Sequence, residues 1–269
     1  MVLDGNPVLY RISLYMAYAA IVMLLLNLVL AACFNVVITF LLHLPYLLII
    51  FIALLDAAYS WGLKRALAFF TSAFIIGLLS EIIGVLYGVP FGRYHYTVEV
   101  GKIFGIVPFD IPIYWFVITY VSFSMNNKIF QVDHKERNYT YAVPLISLLD
   151  GFCATAWDLI MDPVMVNILN VWVWEEGGEF FNIPMSNFLG WILVAALISL
   201  TYRIIVIGTA RSSMVSYTNV SAIVYFELWL TMVIIAYHAN HLEYLPIGTM
   251  MMFTFLIILI IKTLTKQRS

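Results

Sequence analysis

The sequence predicts an all-α fold: a polytopic transmembrane helical bundle of about eight spans, forming one domain over residues 1–269. Of these residues 64% are hydrophobic and 10% are charged, whereas about a quarter are charged in a typical soluble domain. Apolar stretches of about 20 residues, enough to cross a bilayer as a helix, recur along the whole chain. A chain of this composition cannot be covered by water, so we expect an integral membrane protein.

The apolar stretches place the helices in chain order. The spans lie near residues 11–33, 36–58, 66–87, 110–128, 141–161, 187–207, 218–237 and 246–264. The first two are poorly separated, because residues 12–55 are almost continuously apolar. The break falls either near Asn35 or at His43–Pro45, and a seven-span arrangement remains an alternative.

The distribution of basic residues predicts the orientation. Of the 13 Lys and Arg residues, all but Arg93 and Lys102 fall on one side of an eight-span arrangement. This positive-inside bias places both termini in the cytoplasm. The membrane is expected to be the cytoplasmic membrane of a prokaryote. The long loops near residues 88–109 and 162–186 lie on the opposite side. Because loops on a rigid scaffold commonly carry function, we expect the active face to point outward.

Glu81 is an ionisable residue inside the third span. Such residues are costly in a membrane and are candidates for function. Pro90 is expected to stop the helix, and glycines around it lead to Tyr94 and Tyr96. The alternative is a structural role, in which Glu81 pairs with a neighbouring helix.

Two further carboxyl groups, Asp158 and Asp162, are four residues apart and share one face of a continuous helix. The Asp162–Pro163 pair is expected to end that helix, because a residue before proline avoids the α region. Two carboxylates close together in a poorly hydrated place do not readily ionise together, and a protonated carboxyl can act as a general acid. Alternatively, Asp162 caps the loop and Asp158 pairs with another helix through Arg93.

The following loop contains Trp172 and Trp174, which an extended segment would direct to one side; a membrane-interface belt is the alternative. Asn187, at the start of the sixth span, can cap the helix or hold a water. Pro184 and Trp191 repeat the spacing of Pro108 and Trp115, a weak trace of internal duplication.

Other polar residues indicate no cofactor and no metal. The chain has no P-loop, dinucleotide fingerprint, nucleophile elbow or Cys-x-x-Cys motif. His238 and His241, with Glu243 nearby, are interpreted as interfacial residues. A net charge of −2 gives no reason to expect a nucleic-acid partner. Structural pairing is expected for Asp56, Glu227 and Arg203.

Three blocks in order resemble the carotenoid biosynthesis hydratases, the family of bisanhydrobacterioruberin hydratase and γ-carotene 1′,2′-hydratase. The blocks are E-I-I-G-V-L-Y-G-V-P-F-G-R-Y-H-Y, W-D-L-I-M-D-P-V and W-x-W-x-x-G-G-E-F-F-N-I-P-x-S-N-F-x-G-W. They run from about residue 80 to 191, and the resemblance extends over most of the chain. Asn182 departs from the pattern, standing where a glycine is usual.

The resemblance implies addition of water across the terminal C1–C2 double bond of an acyclic carotenoid, or of another polyprenyl substrate held among membrane lipid. Protonating this bond creates a tertiary carbocation, which needs an acid, an electron-rich lining and a group that orients water. The candidate acids and bases are Glu81, Asp158 and Asp162, with Glu81 and Asp158 preferred as the pair. The candidate substrate-binding residues are Arg93, Tyr94, Tyr96, Trp157, Trp172, Trp174 and Asn187.

Two alternative functions are retained. A lycopene cyclase would quench the same cation internally, but membrane cyclases of that kind carry paired glutamates after a proline, whereas Met185, Ser186 and Asn187 follow Pro184 here. A proton-coupled transporter or isoprenoid-binding protein would use the carboxyl groups without chemistry. Transporters usually show matched broken helices, which the sequence suggests only faintly. The exact isoprenoid and the oligomeric state do not follow from the sequence.

Overall fold

The structure, a computed structural model, describes residues 6–98, 101–130, 139–209 and 218–266. Its framework is a bundle of eight long α-helices, which confirms the predicted all-α polytopic fold. The helices are α1 Pro7–Phe34, α2 Thr39–Trp61, α3 Leu63–Tyr87, α4 Ile111–Ile129, α5 Tyr139–Asn167, α6 Met185–Thr209, α7 Val220–His238 and α8 Pro246–Lys266. A short 3₁₀ helix, Leu242–Tyr244, precedes α8.

Seven of these helices are long and apolar enough to cross a membrane, and α4 is the exception among the described residues. Helix α4 packs against α2, α3, α5, α6, α7 and α8, and almost all of its side chains are buried. Since protein rather than lipid surrounds α4, it can carry polar residues such as Asn126 and Asn127 that a lipid-facing helix would exclude.

The break between the first two helices lies at Asn35, the first of the two predicted positions. Asn35 adopts a left-handed conformation with φ 53°, and Asn27 holds the connection from within α1. The Asn27 side chain accepts a hydrogen bond from the Ile38 amide at 2.9 Å and donates to the Ile38 carbonyl at 3.2 Å. Pro45 instead lies inside α2.

The prediction that Asp162–Pro163 ends the fifth helix is wrong. Helix α5 continues through Pro163 to Asn167. A proline removes one backbone donor from the helix, and here tertiary contacts hold the last turn. The Asn167 side chain donates to the Pro163 carbonyl at 3.1 Å and to the Phe181 carbonyl at 3.0 Å, so α5 keeps one continuous face past Asp162.

Two small antiparallel sheets form where the long loops meet. Strand β1, Tyr94–Tyr96, pairs with β4, Trp172–Trp174, while β2, Lys102–Ile103, pairs with β3, Val107–Pro108. Tyr94 lies opposite Trp174 and Tyr96 opposite Trp172. These four side chains are buried and the middle residues of both strands are exposed, which confirms that Trp172 and Trp174 point to one side. The β1–β4 sheet therefore joins the two loops over one end of the bundle, here called the loop end, where α3 and α5 end and α4 and α6 begin.

Polar groups buried elsewhere in the bundle form structural pairs, as predicted for Arg203 and Asp56. The Arg203 guanidinium contacts the Asp150 carboxylate at 2.6 Å, and both side chains are fully buried. Asp56 accepts hydrogen bonds from the hydroxyls of Tyr120 at 2.5 Å and Thr218 at 2.6 Å. Glu227 differs, because neither of its carboxyl oxygens has a partner among the described residues.

Candidate active site

A cavity of about 520 Å³ opens at the loop end, beneath the β1–β4 sheet. This main cavity is lined by residues of α2 to α7 and of both long loops. Its volume is in the range that holds a drug-sized ligand, so it can take one end of a long polyene but not a whole molecule. Two of the predicted acids, Glu81 and Asp162, lie on its wall.

Glu81 is held by three hydrogen-bond donors. The Tyr94 hydroxyl donates to Oε2, the Tyr96 hydroxyl donates to the same atom at 2.7 Å, and the Trp115 indole N–H donates to Oε1 at 2.9 Å. Glu81 itself is 6% exposed. It sits in the last turns of α3, which ends at Gly88 with φ 73°, and the chain then returns through β1 to place both phenols on the carboxylate.

The hydroxyls of Tyr94 and Tyr96 stay protonated and so remain hydrogen-bond donors to Glu81. Burial raises the pKa of Tyr94 and of Tyr96 well above the ordinary phenol value, and the adjacent Glu81 carboxylate raises both further. Both side chains therefore stay protonated over the physiological pH range. The role as π faces predicted for them is compatible with this contact, since both rings also line the main cavity.

Asp158 and Asp162 share a single amide. The Asn187 side-chain nitrogen lies 3.0 Å from Asp158 Oδ2 and 2.5 Å from Asp162 Oδ2, donating to both. Asp162 lines the main cavity and also interacts with the Trp172 side chain. Asp158 is fully buried and is not on the cavity wall; its Oδ1 has no partner within the described part of the chain.

Aromatic side chains form most of the remaining wall near the carboxyl groups. Trp115 packs on Trp191 with ring centroids 4.3 Å apart, and Trp157 packs against Trp191 at 6.0 Å. The β1–β4 sheet adds Trp172 and Trp174. An electron-rich lining of this kind attracts cations.

Trp115 and Trp191 were not among the residues predicted for the site. Their only signal in the sequence was the repeated proline–tryptophan spacing, and the structure brings those two tryptophans into contact. Of the residues that were predicted, Trp157, Trp172, Trp174 and Asn187 all line the main cavity, as do both tyrosines of β1. Arg93 is exposed and does not line it, so it does not reach Asp158.

The arrangement provides a carboxylate with several donors, a pair of carboxyl groups sharing one amide, and an aromatic wall. Within the described ranges no group of three or more His, Cys, Asp or Glu residues is placed to hold a metal ion. His241 contacts Glu243 at 2.8 Å on the exposed surface, away from the carboxyl groups of the site.

Fold and site together define an integral membrane protein with an aromatic cavity lined by carboxyl groups. A family model described as "Carotenoid biosynthesis protein" matches residues 42–257, and the chain belongs to this family. It is also 28% identical, over 123 residues, to the bisanhydrobacterioruberin hydratase of Haloarcula japonica. That match spans 45% of this chain and 39% of the relative. No solved structure matches the chain.

Proposed function

We propose that this protein is a carotenoid hydratase, a hydro-lyase that adds water across the terminal C1–C2 double bond of an acyclic carotenoid. The observation that carries the proposal is that Glu81 and Asp162 both line one aromatic cavity, while Asp162 shares the Asn187 amide with the buried Asp158. Family membership and the hydratase relative support a carotenoid substrate. The cavity supplies the three things hydration of an alkene requires: an acid, a base with water, and a lining for the cation.

Asp162 is the proposed acid. Two carboxyl groups that share a site hold one proton between them, and Asn187 offers its amide to both. Of the pair, only Asp162 reaches the cavity wall. The proton passes from the Asp162 carboxyl to C2 of the terminal double bond, which leaves a tertiary carbocation at C1. The sequence favoured Asp158 as the partner of Glu81; because Asp158 shares the Asn187 amide but does not line the cavity, we propose that it helps to hold the proton of Asp162.

Glu81 is the proposed base. A carboxylate has about four acceptor positions, and three of them are taken by Tyr94, Tyr96 and Trp115. The open position is on Oε1, where a water can donate. The oxygen of this water bonds to C1, its proton passes to Glu81, and exchange with solvent returns a proton to Asp162. The product is a tertiary alcohol.

The tryptophans stabilise the intermediate. A cation within about 6 Å of an aromatic face gains roughly 0.5–2 kcal/mol per ring, and Trp115, Trp157 and Trp191 form a contiguous group on the cavity wall that carries Glu81 and Asp162. These rings also exclude bulk water, so that capture of the cation depends on the water at Glu81. A cyclase would instead need the cation held against a second double bond of the same substrate.

The carboxyl groups lie at the loop end. The distribution of basic residues predicts that this end faces outward. We therefore propose that the enzyme sits in the cytoplasmic membrane of a prokaryote with the polyene among the lipids and its reacting end in the main cavity. Other acyclic polyprenyl chains present the same terminal group and remain candidate substrates.

Pigment analysis in a host that accumulates lycopene or bisanhydrobacterioruberin tests the proposal. The intact chain is expected to produce a carotenoid heavier by one water, and Glu81→Gln and Asp162→Asn should abolish this product at unchanged protein levels. Asp56→Asn alters a buried carboxyl outside the cavity and serves as the matched control. A product of unchanged mass that contains a ring would establish a cyclase. Unaltered pigment with folded protein would reject both carotenoid reactions and leave transport or another polyprenyl substrate to be tested.

A further inference from the structure

Glu227 is a buried carboxyl group that the proposed mechanism does not use. It lies in α7 and is 1% exposed, and neither carboxyl oxygen has a hydrogen-bond partner among the residues that the structure describes. Buried polar side chains are almost always hydrogen-bonded to protein or to ordered water. An unpartnered carboxyl group in the interior of a bundle therefore indicates a ligand.

The position of Glu227 relates it to the main cavity. Thr231, Met232 and Ile235 of α7 line the cavity, and residues four apart lie on one helix face. Glu227 is one turn before Thr231, about 6 Å farther along the helix. The Thr231 hydroxyl donates to the Glu227 main-chain carbonyl at 2.9 Å, which leaves the Glu227 side chain without this donor.

A second residue of the cavity wall lies within electrostatic range of Glu227. Tyr114 of α4 lines the main cavity and interacts electrostatically with Glu227. The Tyr114 hydroxyl donates to the Tyr46 carbonyl at 2.5 Å, so its proton is not given to Glu227. Both oxygens of Glu227 therefore remain available to a small molecule inside the bundle.

The chemistry of the pocket indicates that this molecule is water. A buried water needs two to four polar partners, and the two Glu227 oxygens can accept both of its O–H groups. The end of a polyene is apolar and offers none. We propose that the main cavity extends behind Thr231 as an internal water site at Glu227.

If the proposed hydratase activity holds, this site would supply the water that the reaction consumes. The main cavity meets the surface at Val98, Phe109 and Leu169, which are 38%, 59% and 45% exposed. A long polyene whose end occupies the cavity passes through this opening and blocks the entry of bulk water. The water consumed at Glu81 must then already be inside, and the Glu227 site stores it.

Cysteine accessibility tests the site independently of any activity. In a full-length chain with Cys33→Ala and Cys153→Ala, Glu227→Cys is treated in native membranes with a small water-soluble methanethiosulfonate reagent, and labelling is followed by mass spectrometry. The matched control is Leu228→Cys, the next residue of α7, which is 3% exposed. Because a buried thiol without access to water is inert, we expect labelling at position 227 to be faster by about tenfold or more. Equal rates at the two positions in folded protein would overturn the proposal.

The supply of water is tested separately with Glu227→Leu and Glu227→Gln. Leucine removes the polar partners, whereas glutamine retains them. We expect Glu227→Leu to lower kcat several-fold with KM unchanged, and Glu227→Gln to retain most of the rate. Equal kcat values for the leucine variant and the unaltered protein would overturn the role of Glu227 in supplying water. If no carotenoid is hydrated at all, the proposed function fails, and the labelling result alone decides whether the water site exists.

Discussion

Trp115 donates its indole N–H to Oε1 of Glu81 at 2.9 Å, joining the innermost helix α4 to the proposed catalytic base in α3. The contact depends on Gly77, one turn before Glu81 in α3. A Cβ atom at this position would lie 2.7 Å from the Trp115 ring. The glycine therefore lets α4 approach closely enough for the indole to reach the carboxylate.

Gly77→Ala is expected to displace the Trp115 indole from Glu81 without changing any group on the carboxylate. Overpacking of this kind costs about 1–3 kcal/mol, and we expect the rate of hydration to fall about tenfold, the equivalent of one hydrogen bond to a charged group. Turnover in membranes normalised to folded protein measures this. Trp115→Phe should reproduce the loss of rate, and Ser80→Ala in the same helix should not. Full activity of both Gly77→Ala and Trp115→Phe would show that the indole does not position Glu81.

The two aspartates are predicted to contribute unequally. Asp162→Asn removes the proposed acid from the cavity wall and should lower the rate by about 10²–10⁴-fold, as loss of a general acid does. Asp158→Asn leaves the acid in place and should lower it by roughly tenfold, the effect of one hydrogen bond to a charged group. Initial rates with one carotenoid substrate measure both. A larger loss for Asp158→Asn than for Asp162→Asn would reverse the assignment.

The pH dependence of the reaction tests the state of the phenols. Burial raises the pKa of Tyr94 and Tyr96, so both remain protonated above the ordinary phenol pKa of about 10. Both phenols then continue to donate hydrogen bonds to Glu81 at alkaline pH. The hydration rate should therefore not fall near the ordinary phenol pKa. Tyr96→Phe should lower the rate about tenfold and leave the alkaline limb of the profile unchanged. A fall in the hydration rate near the ordinary phenol pKa that is absent in Tyr96→Phe would contradict this prediction.

The ion pair of Asp150 and Arg203 is predicted to serve stability alone. Arg203→Met leaves a buried carboxylate without its partner and should destabilise the protein by about 3–5 kcal/mol. The double variant Asp150→Leu/Arg203→Met should regain only part of this, because two apolar residues replace the pair but Asn126, Asn127 and Ser199 lose hydrogen-bond partners. Thermal unfolding in detergent measures stability, and turnover per folded molecule should stay unchanged. A loss of turnover in the stable double variant would place this cluster in the mechanism.

Composition and hydropathy were sufficient to predict the bundle, because the bilayer imposes its length and polarity on each lipid-facing helix. The interior position of α4 was not predictable in this way, since hydropathy does not reveal which neighbours surround a helix. The end of α5 was predicted wrongly because a local proline rule was applied where Asn167 and the packing of the helix decide the outcome.

The ionisable residues of the candidate site were predictable, because burying a charge in a membrane costs free energy. That argument identified Glu81 and Asp162, which line the cavity, but not the donors that hold them. The contact of Tyr96 with Glu81 depends on the return of the chain through β1, and the stacking of Trp115 on Trp191 depends on two helices meeting. The lack of a partner for Glu227 likewise appears only when the neighbouring helices are placed.

In the proposed reaction, the oxygen of water becomes the hydroxyl oxygen of the product. Membranes containing the protein are incubated with an acyclic carotenoid in water labelled with a heavy oxygen isotope, and the product is analysed by mass spectrometry. We expect one labelled oxygen per hydrated end with the unaltered protein and none with Glu81→Gln. Formation of an unlabelled product, or of an isomer with the mass of the substrate, would contradict it.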